Sequence, residues 1–336
     1  MKILIMQLNI IGITGLVGQE ILILLEKMNL EKISKINFIA SENSKGKEIK
    51  FKNQDYKIVT LKDINLNLKN ITINCSSSEI ATEIFHKNSE NNNMCLIDNS
   101  SALRMLQTVP LVVPHINFSS QKNNFIANPN CSTIILTCLL HPLYNFGIER
   151  LVISTYQAAS GAGKNGLDEL MCQMKEITSN QELTTNFWGK QYVGNCFVHN
   201  SELTNTHYNT EEMKLINETK KIMNDSELKI TATCIRVPTI RSHCESVNIQ
   251  FKNPVTYNQI VELIQKDGNL VLMDNKDKNE FPDTIVSSND TRVYIGHIRP
   301  DNSLPENYGW NFWISGDQLL RGAAYNAVEI LKQLIY

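Results

Sequence analysis

The chain of 336 residues can form one large domain or two ordinary ones, each burying its own core. A hydrophobic content of 42% and a charged content of 20% exclude wholesale disorder. The formal charge of −2, with no single-sign block of about five residues, gives no electrostatic support for nucleic-acid or membrane-surface binding.

Eight cysteines occur, none in a C-x-x-C pair, and their spacing matches neither a zinc site nor a compact disulfide framework. No metal is expected, and the setting implied is a reducing, cytoplasmic one. Lys2 and the mostly apolar stretch through Val17 read as a buried strand entering a tight turn. Gln7 and Asn9 interrupt that stretch, and Gly12, Gly15 and Gly18 stand where the turn belongs, so a signal peptide fits poorly. No run of about 18 apolar residues occurs, so no membrane-spanning segment is expected.

In chain order, residues 8–13, 36–40, 71–75, 95–98 and 111–113 read as buried strands, with helices at 19–30 and 79–88 between them. This alternation indicates βαβ units and a parallel sheet. Beyond Cys131, period-two strands at 151–157, 228–237, 246–251, 293–298 and 310–314 suit a mixed or antiparallel sheet with one face covered. Helical patterns interrupt them at 166–178, 210–224 and 257–267. The last segment, 317–335, places Leu319, Leu320, Ala323, Ala324, Ala327, Val328, Leu331 and Ile335 on one helical face. With no long linker, two intimately packed domains are expected.

Gly12-Ile13-Thr14-Gly15-Leu16-Val17-Gly18 follows the first strand and opens the first helix. Glycines there let a pyrophosphate approach the backbone, and the helix N-terminus offers N–H groups and a positive dipole end. A purely structural turn is the alternative, which its place in a βαβ pattern disfavours. After the second strand, Ser41, Ser44, Lys45 and Lys47 favour a 2′-phosphate and Glu42 a ribose hydroxyl. NADP is preferred over NAD, which is not excluded.

Asn128-Pro129-Asn130-Cys131-Ser132-Thr133 precedes an apolar run that reads as a buried helix. Cys131 therefore sits at or just before a helix N-terminus, where partial positive charge favours a thiolate and backbone N–H groups can hold an oxyanion. A buried structural cysteine is the bland reading, and it suits Cys138.

Several ordered motifs resemble the aspartate-semialdehyde dehydrogenases. They are Pro129 to Thr133, Ser154 to Gly163 (STYQAASGAG), Asp98 to Arg104, Val109 to Pro114, Glu211 to Lys214, Cys234 to Pro238 and His243 to Val247. The resemblance implies a Rossmann-type NADP-binding domain over 1–130, completed by the C-terminal helix of 316–336 packing back on it. A mixed-sheet α+β catalytic and dimerisation domain would span 131–315. It also implies reductive dephosphorylation of L-aspartyl 4-phosphate to aspartate 4-semialdehyde through a Cys131 thioester, on the way to lysine, threonine and methionine.

By the same resemblance, His243 is the general acid/base, an imidazole titrating near neutrality, and Gln157 orients substrate and thiol. Arg236 grips the α-carboxylate, and Arg104 with Lys214 binds phosphate. Glu211 shares a helix face with Lys214 and is the acid for the substrate ammonium, whereas Glu212 caps the helix. Cofactor contacts are implied at Gly12, Thr14, Gly15, Leu16, Val17, Gly18, Ser41, Asn43, Ser44, Ser160, Gly161 and Gln318. A homodimer is expected, with a tetramer left open.

Departures from the family pattern are Asn43 in place of an arginine, Ile13 and Leu16 in place of alanines, and Arg241-Ser242 in place of a small pair. The segment 188–209 matches poorly. Competing readings are another acyl-phosphate reductase and a nucleotide-binding paralogue without catalysis.

Overall fold

Short runs of β-branched residues between amphipathic segments build the first half of the chain. The computed structural model describes residues 6–90, 92–119 and 123–336, so Lys2 lies outside the described residues. The chain divides into two compact units, Met1–Asn130 with Ala323–Tyr336, and Cys131–Gly322.

In the first unit the elements are β1 (Met6–Ile11), α1 (Leu16–Glu26), β2 (Ile33–Ile39), β3 (Glu48–Phe51), β4 (Gln54–Lys57), β5 (Asn70–Asn74), α2 (Ser78–Asn88), β6 (Met94–Asp98), α3 (Pro114–Asn117) and β7 (Phe125–Ala127). Five strands form a parallel sheet in the order β2-β1-β5-β6-β7. The order reverses between β1 and β5, the place where open α/β sheets bind ligands. Asn9, which interrupts the apolar run of β1, is buried but satisfied: its amide donates to Thr72 Oγ1 at 3.0 Å and its carbonyl accepts from Asn37 at 2.7 Å.

Two local expectations change here. Residues 111–113 are buried, yet only Leu111 bridges a strand, to Ala127. Pro110 and Pro114 bracket them, and Pro114 starts α3, so no ladder can propagate. The edge strand is instead β7, too short to show a period. The β3–β4 hairpin was also unforeseen; its turn places Lys52 and Asn53 at positive φ.

The second unit comprises α4 (Cys131–Leu143), β8 (Ile148–Gln157), α5 (Gly163–Thr178), β9 (Phe197–Val198), α6 (Thr210–Met223), β10 (Lys229–Arg236), β11 (His243–Phe251), α7 (Tyr257–Lys266), β12 (Leu270–Leu272), β13 (Val293–Pro300) and β14 (Gly309–Gly316). Seven strands form one mixed sheet in the order β12-β13-β14-β11-β8-β10-β9. Alternation along β8 buries Leu151, Ile153, Thr155 and Gln157, and α4 packs against the sheet.

A π-helical stretch, Leu320–Tyr325, leads into α8 (Asn326–Ile335). Ala327, Val328, Leu331 and Ile335 join the first unit's core with Leu8, Ile10 and Ile73. The chain rejoins that unit at Ala323, not at 316. Residues 317–322 stay with the second unit because β14 runs through Gly316 and Asp317 anchors the turn after it, accepting from Leu319 and Leu320 N–H at 3.0 and 2.9 Å.

Candidate active site

Three adjacent strands bring three of the expected residues side by side. Arg236 is the last residue of β10 and pairs with Gln157, the last of β8. The antiparallel register of β11, with Cys244 opposite Tyr156, puts His243 beside Gln157. Alternation turns all three side chains to the same face, and all are buried. His243 begins β11; the sequence had placed it between strands.

The first turns of two helices complete this edge. Cys131 is the first residue of α4, half-buried at the positive end of the helix dipole. A Cβ on Gly322 would lie 2.7 Å from Cys131 Cβ, so only glycine lets the π-helical stretch pass the thiol-bearing residue. Gln157 Nε2 donates to Ser132 Oγ at 3.2 Å and to Glu211 Oε1 at 3.1 Å. Glu211 Oε2 in turn accepts from Lys214 Nζ at 3.2 Å. Glu212 serves the backbone, as its spacing implies: it forms a capping box with Asn209 and accepts from Cys234 N–H at 3.1 Å.

His243 departs from expectation in its protonation. Its Nδ1 accepts from the Ala158 N–H at 3.0 Å, so the neutral ring carries its proton on Nε2. Burial, reinforced by the Arg236 guanidinium, holds its pKa down at about 3. The imidazole does not titrate near neutrality; it presents an N–H donor. Nε2 is buried and unpartnered, as is Arg236 Nε, while Arg236 Nη1 donates to Ala158 O at 3.1 Å. A Cβ on Gly161 would stand 3.0 Å from His243 Nε2 and 3.3 Å from Arg236 Nη1, which places Gly161 between the two.

Ser160 and Gln318, expected at the cofactor, fasten the loop before His243 in this structure. Ser160 Oγ donates to Ile240 O, and Gln318 Nε2 donates to Ser160 Oγ. Gln318 Oε1 accepts from Ser242 N–H at 2.7 Å, steadying Ser242 at φ 68°.

In the first unit, Gly12 has φ 84°, and a Cβ there would lie 2.7 Å from Cys75 O, so the turn after β1 closes against the end of β5 only with glycine. No side chain caps α1 at Gly15, and its first turn carries no acid. Leu16, Val17 and Gly18 thus open a helix whose N-terminus suits a pyrophosphate, with Thr14 exposed beside it. These residues fit a dinucleotide. Ser41 and Asn43 are exposed and Ser44 half-buried, around a short 3₁₀ turn. Lys45 is paired with Asp63 at 2.9 Å, which weakens its claim on a 2′-phosphate. Arg104 is buried, donating to Asn128 O at 2.9 Å and Asn99 O at 2.8 Å.

Four residues near the sheet edge escaped the sequence reading: Trp188, Tyr192 and His199 from the poorly matching segment, and Glu245 two residues past His243. His199 is buried and its pKa is lowered to about 4, by burial first and then by Arg236. Nothing in its spacing separates it from the chain's other histidines. Glu245 could have been noticed as a carboxylate in an otherwise buried strand.

Two family models match the chain: semialdehyde dehydrogenase, NAD binding domain, over residues 7–124, and semialdehyde dehydrogenase, dimerisation domain, over 140–321. Aspartate-semialdehyde dehydrogenase of Rickettsia bellii is 39% identical over 97% of this chain and 96% of its own length. That of Prochlorococcus marinus is 36% identical over 98% and 95%. Among solved structures, aspartate semialdehyde dehydrogenase II of Vibrio cholerae, complexed with ASA, superposes with a TM-score of 0.91 at 31% identity, covering 98% of both chains. By its motifs, its two-unit fold and these relatives, the chain belongs to the aspartate-semialdehyde dehydrogenase family.

Proposed function

We propose that the protein reduces L-aspartyl 4-phosphate to L-aspartate 4-semialdehyde, with NADPH as reductant and Cys131 as nucleophile. The observation that carries this reading is the shared row of Arg236, Gln157 and His243 beside the helix end that bears Cys131. The Cys131 thiolate attacks the acyl carbon and phosphate leaves, giving a thioester. The glycine turn, Gly12 to Gly18, would hold the dinucleotide, whose nicotinamide would supply the hydride when bound. Arg236, with Nε unpartnered, receives the α-carboxylate side-on, and Glu211 receives the ammonium. Gln157, fixed by Ser132 and Glu211, orients the acyl group.

His243 holds its proton on Nε2 and donates it as a hydrogen bond to negative charge developing at the acyl oxygen, or at the sulfur as the thiolate leaves. Lys214 and Arg104 are the cations assigned to the phosphate. The vicinity of Ser41 and Ser44 supports NADP, Lys45 being engaged by Asp63. The protein is proposed to be a homodimer at least, working in the cytoplasm, where thiols stay reduced.

The reverse reaction tests this. Purified protein given aspartate semialdehyde, phosphate and NADP should reduce the nicotinamide only when phosphate is present. Reduction with NAD alone would overturn the cofactor preference, and no reduction with either would overturn the substrate.

A further inference from the structure

The segment 184–199, most of which lies within the poorly matching stretch 188–209, is fastened to the fold from α5. Along one face of α5, Glu169, Gln173 and Glu176 recur at helical spacing and bind its backbone. Glu176 Oε2 accepts from Thr184 N–H at 2.8 Å. Glu169, buried, accepts from Phe187 and Trp188 N–H at 2.6 and 3.0 Å. Gln173, fully buried, accepts from Tyr192 and Val193 N–H at 2.7 and 3.1 Å and donates to Thr184 O at 2.6 Å. Tyr192 Oη donates to Val237 O at 2.7 Å, and His199 N–H to Cys234 O at 2.8 Å, tying the segment's far end to the strand that ends in Arg236.

Trp188 is the residue this clamp positions. Its indole N–H donates to Gly166 O at 3.0 Å, which fixes the plane of the ring. Arg236 Cζ lies 5.5 Å from the ring centroid, within cation–π range. That contact matters because Arg236 makes a single hydrogen bond among the described residues, to Ala158 O. One bond leaves a guanidinium free to swing; a bound ring against it does not. A tryptophan that only filled the small cluster with Ala159, Leu170 and Tyr192 would need no such overlay.

We infer that residues 184–199 form the wall of the α-carboxylate pocket and that Trp188 is a positioning residue holding Arg236 for that carboxylate. The inference deepens the function proposed above and rests on its reading of Arg236. The wall contributes to specificity: it strengthens binding of an aldehyde that carries a carboxylate and is indifferent to one that lacks it.

The test compares L-aspartate semialdehyde with 3-aminopropanal, the same aldehyde without the carboxylate, in the phosphate-dependent oxidation. Trp188→Leu should raise KM for the semialdehyde about tenfold, with kcat within about twofold, because the grip lies remote from the reacting carbon. KM for 3-aminopropanal should not move, and Trp188→Phe should restore most of the loss. If Trp188→Leu does not fold, Glu169→Gln, which loosens the clamp, should show the same selective rise at about threefold. Equal rises for both aldehydes, or none, would overturn the inference while leaving the function standing. A wild-type protein inactive on aspartate semialdehyde would overturn both, and that failure is visible before any variant is made.

Discussion

Two neighbouring rows of the second unit's sheet make an instructive pair. The edge row holds Arg236, Gln157 and His243. One step deeper, on the same strands and the same face, stand Cys234, Thr155 and Glu245. In the edge row every polar side chain has one atom held and another unpartnered: Nη1 against Nε in Arg236, Nε2 against Oε1 in Gln157, Nδ1 against Nε2 in His243. The held atom sets the orientation and the other awaits a ligand. In the deeper row Glu245 is fully buried and neither carboxylate oxygen has a partner. Burial pushes its pKa well above the usual carboxylate range, so it stands as a neutral acid. Register alone therefore does not make a site. The partners do, and they come from the loop at Ala158 and from the first turns of α4 and α6.

The largest break in this comparison is loss of the nucleophile beside the edge row. Cys131→Ala should lower kcat by about 10⁴-fold or more, with the fold unchanged by circular dichroism. Removing the donor, His243→Ala, should cost about 10²- to 10³-fold in kcat. The pH profile of kcat/KM should show no inflection near pH 6.5 from this residue, because the folded ring protonates only near its lowered pKa of about 3.

The two rows should also bend stability in opposite directions with pH. His243 binds a proton below about pH 6.5 in the unfolded chain but only near 3 in the fold. Its neutral burial thus costs nothing above 6.5, and stability is lost as pH falls below it, by about 1.4 kcal/mol per unit. Glu245 behaves oppositely. It keeps its proton in the fold where the unfolded chain has released it, so stability falls as pH rises above the ordinary carboxylate range. Urea denaturation of Glu245→Gln should match wild type near pH 4.5 and exceed it increasingly towards pH 8. A variant less stable than wild type at pH 8 would mean that the carboxylate is charged and paired.

Much of the edge row was legible because its signals are local. Asn-Pro-Asn-Cys before an apolar run announces a thiol at a helix N-terminus, and α4 begins at Cys131. Spacing alone assigned Glu211 to Lys214 and Glu212 to the cap, as the hydrogen bonds show. What could not be read is tertiary. The depressed pKa of His243 depends on the burial of its ring and on Arg236 from another strand. The wall around Arg236 depends on Glu169 and Gln173, which reach residues 11 to 20 positions away in a segment with no period. β7 was missed for another reason: three residues are too few to alternate.

The smallest expected effect sharpens the part played by the α6 cap. Asn209→Ala removes the bond from Glu212 N–H, 2.9 Å long, and should cost about 1 kcal/mol of stability in chemical denaturation. Activity should fall only severalfold, because Glu211 and Lys214 remain on the helix face.

The central claim is that substrate becomes covalently attached to Cys131 at the head of the edge row. The direct measurement is acid quench of wild-type protein with aspartate semialdehyde and NADP in the absence of phosphate, followed by mass spectrometry of the proteolysed chain. The account predicts a hydroxylamine-labile aspartyl adduct on the peptide containing Cys131, lost when phosphate is added before the quench. An adduct on the exposed Cys172 or Cys196 instead, or none in protein that still reduces nicotinamide, would contradict it.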